Sequence, residues 1–312
     1  MTLQQVIDFL AVAQHGSLHA AARSTGQSQP ALTKSLNRLE RDLGAPLFDR
    51  HVRGMQANEF GKRFAVHARR LLAEAERARE SVTQLLGERL GRVQFGISVA
   101  ASLLLAPAAI QRFRRAFPDV ELRSRSGLYH VFAPLLRDGQ LDFAICPQPQ
   151  GVADPQLSMR RLIESQMVLV ARRDHPQARV RSLAALRNAS FSVAAPSGQP
   201  GGGIYQAFEQ AGLGAPHIEL HTDGLIDTAA FVAGSDCLAL MPAALMRSGL
   251  LRERLAVVPV TDDLPRYTVG LFQRATVPLT PAADELATQF EREAAYLART
   301  QAGSAKAAAP SA

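Results

Sequence analysis

Cysteine is scarce: 312 residues hold two, Cys146 and Cys237, each inside an apolar, strand-like run. That excludes a disulfide framework and fits buried free thiols in a reducing compartment. Long hydrophobic runs are missing too. The longest, Val99 to Ile110, is interrupted by Ser102 and Pro107 and falls short of the ~20 residues of a membrane-spanning helix. No membrane partner is expected. The triplet Ala11-Val12-Ala13 has the look of a leader-cleavage site, but no basic residue precedes it and Asp8 breaks the apolar run. No secretory leader is expected, and a cytoplasmic location follows. Catalytic signatures are also absent. The glycine-rich "PSGQPGGG" (196–203) is followed by no Gly-Lys-Ser/Thr and lacks G-x-G-x-x-G spacing. There is no H-E-x-x-H, no paired C-x-x-C and no G-x-S-x-G. These gaps argue against nucleotide hydrolysis, dinucleotide chemistry, a zinc centre and a serine hydrolase. No enzyme activity, metal or cofactor is expected.

What is present begins with length, which suits two or three domains rather than one core. Net charge is +7, and residues 1–92 hold fourteen Lys/Arg against nine Asp/Glu. A basic surplus suits a polyanionic partner or a merely solvated surface, and charge alone does not separate them.

Three zones follow along the chain. Residues 1–58 read as short helical segments punctuated by Gly16, Gly26, Gly44 and Gly54. Residues 59–91 are dominated by one helical pattern over 59–87. Phe64, Ala68, Leu71, Ala75, Ala78, Val82 and Leu85 recur there at alternating four- and three-residue steps. That is a heptad seam flanked by Arg and Glu, and it predicts pairing with a second copy of the chain. Packing on its own domain is the plainer alternative. From Arg92 onward, strand-like runs alternate with amphipathic helices, which predicts βαβ units around parallel sheets. Two such series suggest two lobes. Residues 301–312 read as a disordered tail.

The stretch from Gly16 to Gly44 is the most informative. Ala20, Ala21 and Ala22 let another helix approach closely, and Gly26 permits the left-handed geometry that reverses the chain. Ser28 is a suitable N-cap, and Pro30 falls in the first turn of the next helix. Leu32, Leu36, Leu39 and Leu43 form a buried stripe. The opposite face carries Gln29, Thr33, Lys34, Asn37, Arg38 and Arg41. Two close-packed helices with a donor-rich second member describe a helix-turn-helix, able to read base edges while cations meet phosphates.

Residues 9–50, "FLAVAQHGSLHAAARSTGQSQPALTKSLNRLERDLGAPLFDR", resemble the N-terminal signature of LysR-type transcriptional regulators. The shared pattern is Phe-x-x-Val, Gly-Ser, an Ala-Ala pair, Ser-Gln-Pro-Ala, Leu-Glu, Leu-Gly and Leu-Phe-x-Arg. "RGMQANEFGKRF" resembles the family's wing and the start of its linker helix. "FPDVELRSRSG", "LLRDGQLDFAI" and "VAGSDCLALMP" resemble its ligand-lobe motifs. The resemblance implies an α/β chain with an N-terminal all-α winged helix-turn-helix (1–58), a linker and dimerisation helix (59–91), and a two-lobe effector domain like periplasmic solute-binding proteins, with lobes at 92–161 plus 267–300 and at 162–266. It implies double-stranded promoter or operator DNA, a small-molecule effector and self-association to a dimer or tetramer, with transcription machinery as a further partner. Carried over by position, the reading helix falls on Ser28 to Leu43. Gln29, Pro30 and Thr33 are assigned to base-edge or sugar contacts. Lys34, Asn37 and Arg38 are assigned to phosphate or flanking contacts, and Arg50 and Arg53 to the wing.

The effector is expected between the lobes, beyond strand ends, where helix N-termini favour an anion. Ser98, Ser102, Tyr129, His130, Ser197, Gln199, Thr222 and Asp223 are the candidates, and an organic anion is the expected ligand. "RSGLYHVFAPLLRDGQLDFAI" and "VPLTPAADEL" look somewhat like regulators that respond to aromatic sulfonates such as toluenesulfonate. Two alternatives remain open. The lobes alone would fit a cytoplasmic solute-binding protein, although that leaves the N-terminal helices unexplained. A thiol-based redox sensor is the other, but Cys146 and Cys237 fall in different expected lobes.

Overall fold

The computed structural model describes residues 1–51, 54–149, 151, 154–195, 198, 202–222, 224–247 and 251–307. It divides into two compact units, Met1–Glu88 with Asp138–Gln140, and Arg89–Arg137 with Leu141–Ala312.

The first unit opens with α1 (Leu3–His15), α2 (Leu18–Thr25) and α3 (Gln29–Leu43). Each start is capped by a side-chain oxygen that accepts a first-turn N–H, from Thr2, Ser17 and Ser28 respectively. Gly26 takes φ 66°, the left-handed geometry that lets α2 stop and α3 begin within three residues. Strands β1 (Phe48–His51) and β2 (Gly54–Ala57) pair antiparallel, so the segment expected to be all-helical carries its wing as a β-hairpin. Helix α4 (Glu59–Leu85) follows, capped by Asn58. Val6, Phe9, Val12, Leu32, Leu36, Leu39, Leu47 and Phe48 form the core. Ala21 and Ala22 are buried there too, as the small-sided α2 requires.

Two residues of the expected dimer seam belong to this core instead. Ala68 is fully buried in it, and the Phe64 ring meets that of Phe9 edge-on at 4.9 Å. The first turns of α4 are therefore occupied by the helix-turn-helix itself, which already supplies an apolar partner. Further along, Leu71, Val82 and Leu85 are 46%, 60% and 76% exposed.

The second unit contains β3 (Arg92–Ile97), α5 (Val99–Ala116), β4 (Glu121–Ser126), α6 (Tyr129–Arg137) and β5 (Phe143–Pro147). The long β6 (Leu157–Arg172) comes next, then β7 (Ser190–Val193), α7 (Gly203–Gln210), β8 (His217–His221), α8 (Leu225–Ala233) and β9 (Ala239–Pro242). It closes with α9 (Ala243–Arg247), β10 (Leu255–Val257), β11 (Arg266–Arg274) and α10 (Pro281–Ala307). The main sheet has the order β10-β6-β11-β5-β3-β4, with β9 also on β6. β3 is parallel to β4 and β5, and β7 to β8. The expectation of purely parallel sheets fails at β6 and β11. β11 lies antiparallel between β5 and β6, and β9 and β10 are antiparallel to β6. The reason is topological: the chain leaves the first lobe along β6 and returns along β11, so the two strands run in opposite directions. β6 pairs with β11 up to Gln166 and with β9 from Met167. The expected lobe boundary at 161/162 thus falls within a continuous strand, and the exchange of partners comes five residues later.

One core packs β3, β5 and β11 against α5 and α10, with Phe95, Phe143 and Phe290 at its centre. The second lobe has two clusters, around Phe191 and Phe208 and around Val232 and Met241. Helix α10 continues to Ala307, so residues 301–307, expected in a disordered tail, extend the helix. The rest of that tail, 308–312, lies outside the described residues. Among the described residues, no helix is long and apolar enough to cross a membrane.

Gly61 has the least room for a side chain among the described glycines of the first unit. A Cβ there would stand 2.1 Å from the Leu47 carbonyl oxygen, a backbone atom with no freedom to retreat. Gly61→Ala is expected to destabilise the N-terminal unit by about 1–3 kcal/mol through overpacking. A thermal unfolding scan should show an N-terminal transition several degrees lower, with the effector-domain transition unmoved.

Candidate functional site

The exposed face of α3 is built by its amphipathic spacing. Leu32, Leu36 and Leu39 turn into the core, which leaves Gln29, Pro30, Lys34, Asn37 and Arg38 exposed and Thr33 half-buried. Gln29, Pro30, Thr33, Lys34 and Asn37 line one open groove, together with Glu40, Arg41 and the loop Gly44–Pro46. Five of the nine residues assigned to DNA are thus gathered on one surface. Ser28 acts as the N-cap, its Oγ accepting the Ala31 N–H at 3.3 Å. The Thr33 hydroxyl donates to the Gln29 carbonyl at 2.9 Å, so its proton is engaged while its oxygen retains acceptor capacity. Glu40, the only carboxylate in the groove, is tied down by accepting the Leu47 N–H at 2.7 Å. The surface therefore offers amide and cationic donors with its single acid already occupied. Arg50 lies in β1, opposite Met55; Arg53 lies outside the described residues.

A second site is a cleft within the second unit, enclosing about 100 Å³. Its walls are Ser98, Val99 and Ala100 at the start of α5, Ser126 to Leu128 ahead of α6, Gly224 and Leu225 at the start of α8, and Pro147, Met167, Ala194, Pro242, Tyr267 and Val269. Three helix N-termini therefore converge on it, each presenting N–H groups without intrahelical acceptors. Among the described residues, no Asp, Glu, Lys or Arg lines it. Ser98 is 2% exposed, makes no capping hydrogen bond, and its Oγ is buried without a partner. Tyr267 is also buried, and that burial pushes its phenol above the ordinary range, so it stays a neutral donor at physiological pH.

Of the five expected effector residues that are described, Ser98 alone lines this cleft. Ser102 sits a turn further along α5, its N–H spent on the Ser98 carbonyl. Tyr129 packs edge-on against Phe272 at 5.0 Å, and burial together with nearby Asp154 raises its phenol. His130 is exposed. The Thr222 hydroxyl is engaged with that of Thr228 at 2.6 Å. Ser197, Gln199 and Asp223 lie outside the described residues. Tyr267, Val269 and Met167 were missed because a search beyond strand C-termini assumes parallel strands. β11 runs against β5, with Val269 opposite Pro147, so its beginning faces the cleft. Ser126 was legible as the last residue of β4.

Cys146 and Cys237 are both free and buried. Burial pushes the Cys146 thiol up and raises that of Cys237 to about 11, with Glu219 adding to the latter. Both remain protonated at neutral pH and are poor nucleophiles, which removes support from the redox alternative.

Two family models match: "Bacterial regulatory helix-turn-helix protein, lysR family" over residues 3–62, and "LysR substrate binding domain" over 86–295. The chain belongs to the LysR family. It is 30% identical to the transcriptional regulator GbpR of Azospirillum brasilense, over 88% of this chain and 81% of that one. It is also 30% identical to the SDS degradation transcriptional activation protein of a Pseudomonas strain, over 91% and 94%. Full-length CbnR in complex with its target DNA shares the fold, with a TM-score of 0.71 at 19% identity over 94% of this chain and all of that one. This LysR-family protein is accordingly a DNA-binding transcriptional regulator with a substrate-binding effector domain, and not an enzyme.

Proposed function

We propose that the effector is a small organic anion bound at the Ser98 cleft, and that its binding changes how a dimer of this regulator engages promoter DNA. The observation that carries the reading is the buried, unpartnered Ser98 hydroxyl among three helix N-termini, in a wall without charged side chains among the described residues. Fixed dipoles and neutral donors recognise an anion without the desolvation cost of a buried cation. An anionic head with an apolar body suits the flanking Met167, Leu128 and Val269. The relative concerned with SDS degradation leans the same way, toward a sulfonate or sulfate such as toluenesulfonate. The cytoplasm, where DNA is reached, is the proposed location.

On the DNA side, Gln29, Pro30 and Thr33 read base edges or sugars, and Lys34, Asn37, Arg38, Arg50 and Arg53 meet the backbone. The seam of exposed Leu71, Ala78, Val82 and Leu85 with half-buried Ala75 pairs with a second copy, giving two reading heads for two half-sites. Pairs of such dimers and contacts with transcription machinery extend the same proposal.

Gln29→Ala or Thr33→Ala is expected to change sequence preference by about 1–3 kcal/mol per lost base contact. Arg53→Ala should weaken all duplexes alike and reduce the salt slope by about one. Quantitative footprinting at matched salt checks both, and an unchanged footprint in Gln29→Ala removes that residue from the reading face.

Val82→Asp would bury an uncompensated carboxylate in each paired helix, shifting the dimer roughly tenfold or more toward monomer. Sedimentation equilibrium reads this directly; a dimer of undiminished strength places the pairing surface elsewhere.

Calorimetric titration against carboxylates and sulfonates should show binding that Ser98→Ala weakens by about 10–100-fold, the worth of one hydrogen bond to a charged group. Affinity confined to cations, or indifferent to Ser98→Ala, overturns the effector assignment.

A further inference from the structure

Asp8 is the one acidic side chain in the core-facing surface of α1, and it is 1% exposed. A carboxylate at that depth persists only where donors replace its water. Three do so. Oδ1 accepts from Gln4 Nε2 at 2.9 Å and Gln27 Nε2 at 2.6 Å, and Oδ2 accepts from Ser35 Oγ at 2.5 Å.

The donors come from different places in the fold. Gln4 lies one turn back on α1. Gln27 is in the turn between α2 and α3, and Ser35 is in the middle of α3. One side chain of α1 therefore grips both the approach to the reading helix and its second turn. Those grips lie eight residues apart in the chain and converge on the two oxygens of one carboxylate. Two directional bonds from one buried group to the approach and the second turn of α3 oppose its rotation and its slide along α1. The leucine stripe of α3 cannot do this by itself, because apolar packing has no direction and tolerates small slides. Base-edge hydrogen bonds tolerate little: a recognition group must be held within about 0.5 Å and 10–20° of its productive geometry.

We infer that Asp8 is a positioning residue for DNA recognition, its carboxylate setting the orientation at which α3 presents Gln29, Thr33 and Lys34 to the groove. The inference rests on the proposed reading face of α3. Asp8 touches no DNA itself. Its loss should lower discrimination between sequences and spare the sequence-independent attraction, which depends on surface cations.

The test uses the full-length protein and a randomised duplex library. Wild type is taken through selection to define an enriched duplex, and affinities for that duplex and a shuffled one are measured at matched salt, well below each variant's unfolding temperature. Asp8→Ala and Ser35→Ala should each cut the enriched-to-shuffled ratio about tenfold, the scale of one misplaced base contact, with affinity for the shuffled duplex changed less than about twofold. The double variant should be no worse than Asp8→Ala alone, since both remove the same link. Asp8→Asn should restore most of the ratio, because its amide can donate to Ser35 Oγ while its carbonyl accepts from the two glutamines. If Asp8→Ala fails to fold, the Ser35→Ala and Asp8→Asn measurements decide. A wild-type ratio in folded Ser35→Ala, or equal loss for both duplexes, overturns the role of Asp8 while leaving the reading face intact. Failure of wild type to enrich any sequence overturns the reading face, and the role of Asp8 with it.

Discussion

Communication within the effector domain is constrained by two backbone segments lying side by side. β6 carries the chain out of the first lobe, and the segment ending at Pro265 brings it back into β11. The Met167 N–H donates to the Pro265 carbonyl at 3.3 Å, at the point where β6 exchanges β11 for β9. Any rotation of one lobe on the other must be absorbed by φ/ψ changes near this bond, because the paired strands on either side resist bending. Met167, Tyr267 and Val269 all line the cleft and all lie within a few residues of the crossing. The cleft is therefore placed where small contacts have the greatest leverage over lobe geometry.

Much of the first unit was legible because its signals are local. Ser17, Ser28 and Asn58 announce helix starts through a single side-chain oxygen, and Gly26 announces a stop through its φ. The linker helix was expected over 59–87 and ends at Leu85. Less was legible wherever partners are distant. A heptad pattern states that one side of a helix is apolar, not what covers it, so Phe64 and Ala68 read as seam residues although Phe9 and its neighbours cover them. Asp8 read as an interruption of an apolar run because its three donors lie up to 27 residues away. Tyr129 stood at the correct strand end but turned toward Phe272, where its ring gains an edge-on aromatic contact.

The two units illustrate opposite uses of buried polarity. In the first, a full charge is placed in a core and satisfied three times over, which fixes an orientation at the expense of apolar packing. In the second, the Ser98 hydroxyl is buried at the cleft and left unsatisfied, as the Ser192 hydroxyl is outside it. A regulator needs both, since the reading head must hold one geometry whereas the effector domain must have two of comparable energy.

The unsatisfied Ser98 sets a scale for that second requirement. An orphaned buried hydroxyl costs about 1–3 kcal/mol, and a ligand that engages it recovers this energy only in the state that encloses it. Differential affinity from that one contact is thus about 10–100-fold. Moving a two-state equilibrium from 1:99 to 99:1 requires about 10⁴-fold. The remaining factor has to come from the helix N-termini and from apolar contact with Met167, Leu128 and Val269, which engage the ligand together only when both lobes surround it. On the proposed assignment, an anionic head alone falls short as an inducer, and so does an apolar body alone. That assignment calls for a ligand that combines them in a space of about 100 Å³.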